Sequence, residues 1–238
     1  MPDALVIVPT YNEIESLERI VGRLRQSVPT ADLLIVDDAS PDGTGELADR
    51  LAAADARIAV LHRTTKDGLG KAYLAGFAEA ISGGYEFVVE IDADGSHDPA
   101  ELPAMLELAR DGADLVIGSR WVPGGAVRNW PRLRQAISRG GNWYARVMLR
   151  SRIRDITAGY RVYRVSALRD LDLGDVSSQG YCFQVEMAWR LERSGHNIQE
   201  HPITFVERAS GVSKMHTGIV VEALLRVTAW GVAATLKR

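Results

Sequence analysis

The chain has 238 residues, 46% hydrophobic and 25% charged. Those proportions suit a soluble globular protein with a sizeable core and exclude a low-complexity chain. Its one cysteine, Cys182, excludes an internal disulfide and fits a reducing compartment. No signal peptide is expected, because Asp3 stands where a basic region belongs and the first apolar run is short.

The net charge of −3 conceals an asymmetry. Nine arginines (120, 128, 132, 134, 139, 146, 150, 152 and 154) fall in one stretch without Asp, Glu or Lys. That stretch carries +9, so −3 less +9 leaves −12 for the remainder. Such a block reads as contact with nucleic acid, a membrane surface or phosphates, or else as a solvated helix face.

Short runs rich in Val and Ile recur at 4–9, 32–38, 57–63, 85–92 and 113–120. They read as strands buried on both faces. Between the first two, Ile14, Leu17, Val21, Leu24 and Val28 repeat at spacings of three and four, which predicts a helix. Residues 44–54 and 72–81 read as helices too, as does the segment after Pro99, its start blurred by Pro103. Strands alternating with helices imply an α/β fold with a mostly parallel sheet flanked by helices. Ligands bind such sheets outside the carboxyl ends of the strands.

Four of those ends carry polar groups: "PTYNE" (9–13), "DDASPDGTG" from Asp37 and Asp38, "DADG" (92–95) and "GSR" ending in Arg120. In an extended chain Asp92 and Asp94 face one point, because side chains alternate. Two carboxylates aimed at one point repel, and a divalent cation such as Mg²⁺ or Mn²⁺ resolves the conflict. The competing reading is a turn that caps the following helix, a role open to Ser96 or Asp98.

"PTYNE", "IVDDASPDGTG", "GLGKAYLAGF", "DADGSHDP", "GSRWVPGG" and "NWPRLRQAISRGGN" occur in this order, followed by "ERASGVSK". Together these motifs resemble the polyprenyl-phosphate (dolichol-phosphate) mannose synthases, inverting glycosyltransferases of family 2 with a GT-A (Rossmann-like) fold. The resemblance runs from about Val6 to Lys214 and is strongest to actinobacterial members.

The resemblance implies transfer of mannose from GDP-mannose to a polyprenyl monophosphate of dolichyl or decaprenyl type, with inversion. It implies a donor site at Pro9, Tyr11, Glu13, Val36 and Asp38, with metal and diphosphate at Asp92, Ala93 and Asp94. Arg120, Arg134 and Ser138 match positions that hold the acceptor phosphate. Arg208 and Lys214 match a pair that closes over the donor phosphates; with Asp94 and Arg120 they form the expected catalytic set. Ser96 stands where some members have a glutamine metal ligand, so water is expected to complete the shell. One domain is expected: a nucleotide-sugar half (1–120), an acceptor and lid half (121–214) and a C-terminal amphipathic helix (215–238).

The residue chemistry points the same way. The departing nucleotide diphosphate gains negative charge, which a carboxylate-held cation offsets. A lipid phosphate is already anionic near neutral pH, so no general base is required. His97, the one histidine near the site in sequence, is expected to cap a helix or lie on the surface. Arginine binds phosphate oxygens with a planar fork.

Residues 132–154 read as a helix weakened by Gly140 and Gly141, with Leu133, Ile137, Tyr144 and Met148 on one side and Arg139, Arg146 and Arg150 on another. With Trp130 and Trp143, this suits a helix in an anionic membrane interface. The segment 217–238 is apolar but interrupted by Glu222 and Arg226, so it reads as an interfacial helix and not a span. Some members carry membrane-spanning segments past this point, so a separate membrane-protein anchor is expected. The expected location is peripheral, on the cytoplasmic face of the membrane.

Three other classes compete. A dinucleotide-dependent oxidoreductase needs G-x-G-x-x-G after the first strand, and "PTYNEIE" has no glycine. A nucleic-acid-binding module accounts for the arginines but not the acidic strand ends, so no nucleic-acid partner is expected. An inactive scaffold conflicts with the retained Asp92, Asp94, Arg120 and Lys214. Among enzymes, a transferase using a UDP-sugar such as UDP-glucose is the nearest rival.

Overall fold

The computed structural model describes residues 3–176, 178, 181–207 and 217–236. Five strands form where the apolar runs predict them: β1 (Ala4–Thr10), β2 (Asp32–Asp37), β3 (Ile58–His62), β4 (Phe87–Glu90) and β5 (Leu115–Ser119). β3, β2, β1 and β4 lie side by side in that order, all parallel.

Alternate residues of β1 feed opposite cores. Leu5 and Ile7 join one cluster with Tyr73, Phe77 and Phe183; Val6 and Val8 join the other with Leu17, Ile20 and Leu24. Both faces are therefore covered, as an apolar parallel strand requires. The first cluster lies under α3 (Leu69–Ser82) and α7 (Tyr181–Arg193); the second lies under α1 (Leu17–Ser27) and α4 (Leu102–Arg110). α2 (Thr44–Ala54) precedes β3.

Ile14 does not join the helical face expected of it: α1 starts at Leu17, and Ile14 is exposed. The expected blurring at Pro103 is a short 3-10 turn, Pro99–Glu101, that leads into α4. Asp98 caps that turn, accepting from the Ala100 N–H at 2.9 Å.

The second half departs from simple alternation. β7 (Arg161–Arg164) runs antiparallel between β4 and β5, and β8 (Ile198–Pro202) pairs parallel with the far side of β5. β7 escapes a search for apolar runs because two of its four residues are arginines. Arg161 is nevertheless fully buried, donating to the carbonyls of Ala158, Ile156 and Gln184. Such bonds are what make a buried guanidinium tolerable.

β6 (Ala126–Arg128) pairs with β9 (Thr204–Val206) in a small separate sheet, and α6 (Val165–Arg169) follows β7. α5 (Arg132–Leu149) runs unbroken through Gly140 and Gly141 and packs on α8 (Thr217–Leu236). It stops at Leu149, five residues short of the predicted end, because Arg150 adopts a left-handed φ of 54°. The α5–α8 contact is close. A Cβ on Gly231 would lie 2.5 Å from the Met148 carbonyl oxygen. Tyr144 Oη and Thr228 Oγ1 are hydrogen-bonded at 2.5 Å.

No helix among the described residues is long and apolar enough to cross a membrane. The outer surface of the α5–α8 pair is nonetheless apolar. Leu133 is 73% and Trp143 65% exposed, beside exposed Ile137, Val147, Leu224, Leu225 and Val232.

Candidate active site

A cleft of about 430 Å³ opens at the carboxyl ends of the strands. Every described residue expected at the site lines it except Val36: Pro9, Tyr11, Glu13, Asp38, Asp92, Ala93, Asp94, Arg120, Arg134 and Ser138. Val36 is instead fully buried in β2, its side chain part of the core beneath the rim. Arg208 and Lys214 lie outside the described residues.

The loops after β1 and β2 are stitched together by Asp37. Its carboxylate accepts from Thr10 Oγ1 at 2.9 Å and from Ser40 Oγ at 2.6 Å. Asn12 and Ala39 in these loops have positive φ, 59° and 55°. Strain of this kind concentrates at functional sites. Asp38, next along, is buried and paired with Arg63 from the end of β3. Burial raises the Asp38 carboxyl above its ordinary value, against the lowering by Arg63.

Asp92 and Asp94 lie past the end of β4, in a turn and not in an extended strand. Strand alternation therefore does not aim them at a common point, although both face the cleft. Gly95, at φ 76°, turns the chain there, and Asp94 Oδ1 accepts from the Ser96 N–H at 2.9 Å. Asp94 thus closes the turn as well as facing the cleft. Asp92 Oδ1 lies 3.5 Å from the Tyr73 hydroxyl, and Gly159 leaves room beneath it.

No group of three or more His, Cys, Asp or Glu suited to a metal occurs among the described residues. Two hard carboxylates facing a cleft fit Mg²⁺ or Mn²⁺, whose remaining positions are filled by phosphate oxygens and water. Asp92 and Asp94 would hold it.

His97 is neither a cap nor a surface residue. It is 2% exposed, with ring centroids 5.1 Å from both Tyr160 and Phe205. Its Nε2 lies 3.9 Å from Asp92 Oδ2, and burial lowers its pKa to about 4, so it is neutral near pH 7. Below Asp92, burial pushes the Glu90 carboxyl up to about 8, against the lowering by Arg161.

Across the cleft, Arg120 is gripped by Asp155: Nε to Oδ2 at 2.8 Å and Nη2 to Oδ1 at 2.7 Å. Thr157 and Asn142 complete this network. Arg134 is paired with Glu207 and lies over the Trp130 ring, 4.2 Å from its centroid. Ser138, one turn along α5, lines the same wall. The cleft then continues between α5, α7 and α8, where Ile137, Tyr144, Val185, Leu224 and Val227 make it apolar.

The model for Glycosyl transferase family 2 matches residues 5–172, most of the chain and the whole strand-end rim from β1 to β7. The chain belongs to the family 2 glycosyltransferases. Two curated relatives match this glycosyltransferase over nearly its full length. One is the undecaprenyl-phosphate mannosyltransferase of Micrococcus luteus, 59% identical over 97% of this chain and 94% of its own. The other is the polyprenol monophosphomannose synthase of Mycolicibacterium smegmatis, 54% identical over 98% of this chain and 89% of its own. Among solved structures, a mannosyltransferase from Pyrobaculum calidifontis in complex with GDP-Man and Mn²⁺ matches with a TM-score of 0.62 at 18% identity. It covers 100% of this chain, which spans 65% of that longer protein. The fold is GT-A, with a mostly parallel central sheet flanked by helices, as the motifs imply.

Several residues in or behind the cleft wall escape the sequence reading. Lys66 Nζ sits 3.6 Å from the Tyr11 ring centroid, in the loop after β3, the one predicted strand end given no role. Asp155 is the first carboxylate after the arginine block, and Glu207 opens "ERASGVSK". Gln184, buried in α7, had no signal at all.

Proposed function

We propose that this glycosyltransferase moves mannose from GDP-mannose to a polyprenyl monophosphate, inverting the anomeric centre, on the cytoplasmic face of a membrane. One observation carries the reading: a single cleft joins a polar rim bearing Asp92 and Asp94 to an apolar groove between α5 and α8. A nucleotide sugar suits the first part and a prenyl chain the second. The names of the two curated relatives support the same chemistry.

Asp92 and Asp94 hold the divalent cation, Mg²⁺ or Mn²⁺; when bound, it offsets the charge that develops on the departing diphosphate. Tyr11, Glu13 and Asp38 surround the nucleotide. Arg134 and Ser138 present a guanidinium and a hydroxyl to the acceptor phosphate, and Arg120, fixed by Asp155, supports it from β5. The acceptor's own anionic oxygen is the nucleophile, so no side chain has to take up a proton. The motifs assign Arg208 and Lys214, which lie outside the described residues, to the donor phosphates.

The exposed apolar stripe of α5 and α8, bordered by Arg132, Arg139 and Arg146, rests on an anionic bilayer surface and keeps the groove mouth near the lipid. The three parts of the chain divide as the motifs imply: 1–120 for the donor, 121–214 for the acceptor and closure, 215–238 for the surface helix. The test is a donor panel of GDP-mannose, UDP-glucose and UDP-GlcNAc with short polyprenyl phosphates, products read by mass. Turnover with GDP-mannose is expected; turnover only with a UDP-sugar would replace the donor assignment.

A further inference from the structure

A second cavity, about 690 Å³, lies between the end of α5, α7, β8 and α8, and shares no lining residue with the catalytic cleft. Arg150, Arg152 and Arg193 all line it. Among the described residues none of the three guanidiniums is paired with a carboxylate; Arg193 lies 5.3 Å from the centroid of the Trp189 ring. The two glutamates on the wall are engaged by the backbone. Glu192 Oε1 accepts from the Arg152 N–H at 2.6 Å, and Glu200 accepts from the N–H groups of Arg154 and Asp155 at 2.8 and 2.9 Å. Their charge is therefore partly offset by fixed donors, while the arginines remain available.

The backbone of the cavity wall adds to this. Arg150 holds a left-handed backbone, φ 54° and ψ 36°, at the C-terminus of α5, where glycine or asparagine normally sits. A strained position kept by a long cationic side chain calls for a reason beyond the turn. Trp189 stacks on Trp230 of α8 with centroids 5.8 Å apart, giving the cavity an aromatic wall beside its cationic one.

We infer that this cavity is a binding site for a phosphate ester, gripped by Arg150, Arg152 and Arg193. Guanidinium forks suit phosphate oxygens. The site adjoins the exposed apolar stripe, since Val147 lies one turn before Arg150 and Val232 follows Gly231 on the cavity wall. The headgroup of an anionic phospholipid and a free phosphate share this chemistry. The inference does not depend on the transfer reaction, and its test measures binding alone.

The experiment is calorimetric titration of the full chain at low salt with two probes: short-chain phosphatidylglycerol below its micellar concentration, and inorganic phosphate. Arg150→Gly and the double variant Arg152→Ser/Arg193→Ser are titrated alongside. None of these residues lines the catalytic cleft, so a difference from the unmodified protein reports on the cavity. Binding is expected to weaken about tenfold or more in both variants, the effect of a lost charge-assisted bond. Arg150→Gly is expected to melt no lower than the unmodified protein, because glycine accepts the left-handed turn. It therefore keeps the test decisive if the double variant fails to fold. Tighter binding of the lipid identifies a headgroup as the source, and equal or tighter binding of inorganic phosphate identifies a soluble one. No binding of either probe, or binding that Arg150→Gly leaves unchanged, overturns the proposal.

Discussion

Asp155 clasps Arg120 along one edge of the guanidinium, through Nε and Nη2, and also accepts from the Arg120 backbone N–H at 2.9 Å. Asp155 is 0% and Arg120 8% exposed. Removing one partner of a buried pair leaves an uncompensated charge, at a cost of about 3–5 kcal/mol. Asp155→Asn is therefore expected to lower the melting temperature clearly and to depress turnover, with Arg120 no longer fixed. Thermal unfolding by circular dichroism, beside transfer kinetics, checks this; an unchanged melting curve would contradict it.

The cation assignment rests on two carboxylates. Asp94→Asn is expected to abolish most turnover while far-UV circular dichroism stays native. The unmodified enzyme should lose activity in EDTA and regain it with added Mg²⁺ or Mn²⁺. Full turnover in excess chelator would remove the metal from the reading.

Arg134, on α5, and Asp38, past the end of β2, both line the cleft but come from different elements, and they should separate kinetically. Arg134→Ala is expected to raise the KM for the lipid phosphate by about 10- to 150-fold, the worth of a charge-assisted bond of roughly 1.5–3 kcal/mol. Its affinity for GDP should hardly change. Asp38→Ala should do the reverse. Titration of GDP into both variants, with acceptor kinetics, distinguishes them; loss of GDP binding in Arg134→Ala would show the assignment is inverted.

Membrane contact should have two separable parts. Leu133→Ser with Trp143→Ser is expected to reduce co-sedimentation with neutral and anionic vesicles alike, since both side chains are exposed and apolar. Arg139→Ser with Arg146→Ser should reduce only the anionic component. That component should fade with salt, because surface charges are screened over about 10 Å at 0.1 M. Equal binding by all variants would count against α5 as the contact surface.

Cys182 offers a pH-dependent probe. Burial, with the Glu222 charge adding to it, pushes its thiol up to about 11 from an ordinary 9.0. The folded state thus disfavours the thiolate, and its contribution to stability should be lost as pH rises from about 9 to about 11. At pH 8 iodoacetamide is expected to modify the unfolded chain quickly and the native chain slowly. Rapid native modification would indicate that α8 lifts away from α7.

The parallel half of the sheet was legible because Val- and Ile-rich runs with helical spacing between them admit few folds. The rim residues were legible because such sheets bind ligands at one end. What escaped did so for physical reasons. β7 hides its buried Arg161 behind a charged name, its burial made tolerable by backbone carbonyls that no sequence pattern records. His97 looked like a surface group because only packing against Tyr160 and Phe205 buries it. Asp92 and Asp94 were correctly placed on the cleft by a wrong argument, since a glycine turn and not strand alternation orients them. Pairings such as Arg120 with Asp155 link residues 35 positions apart, beyond the reach of local spacing.

The antiparallel strand β7 also acts as a spacer. Neighbouring strands lie about 4.8 Å apart, so its insertion sets the tips of β4 and β5 roughly 10 Å from each other. The carboxylates that follow β4 and the guanidinium that follows β5 therefore rise from strand tips two places apart in the sheet, and the rim stays open between them.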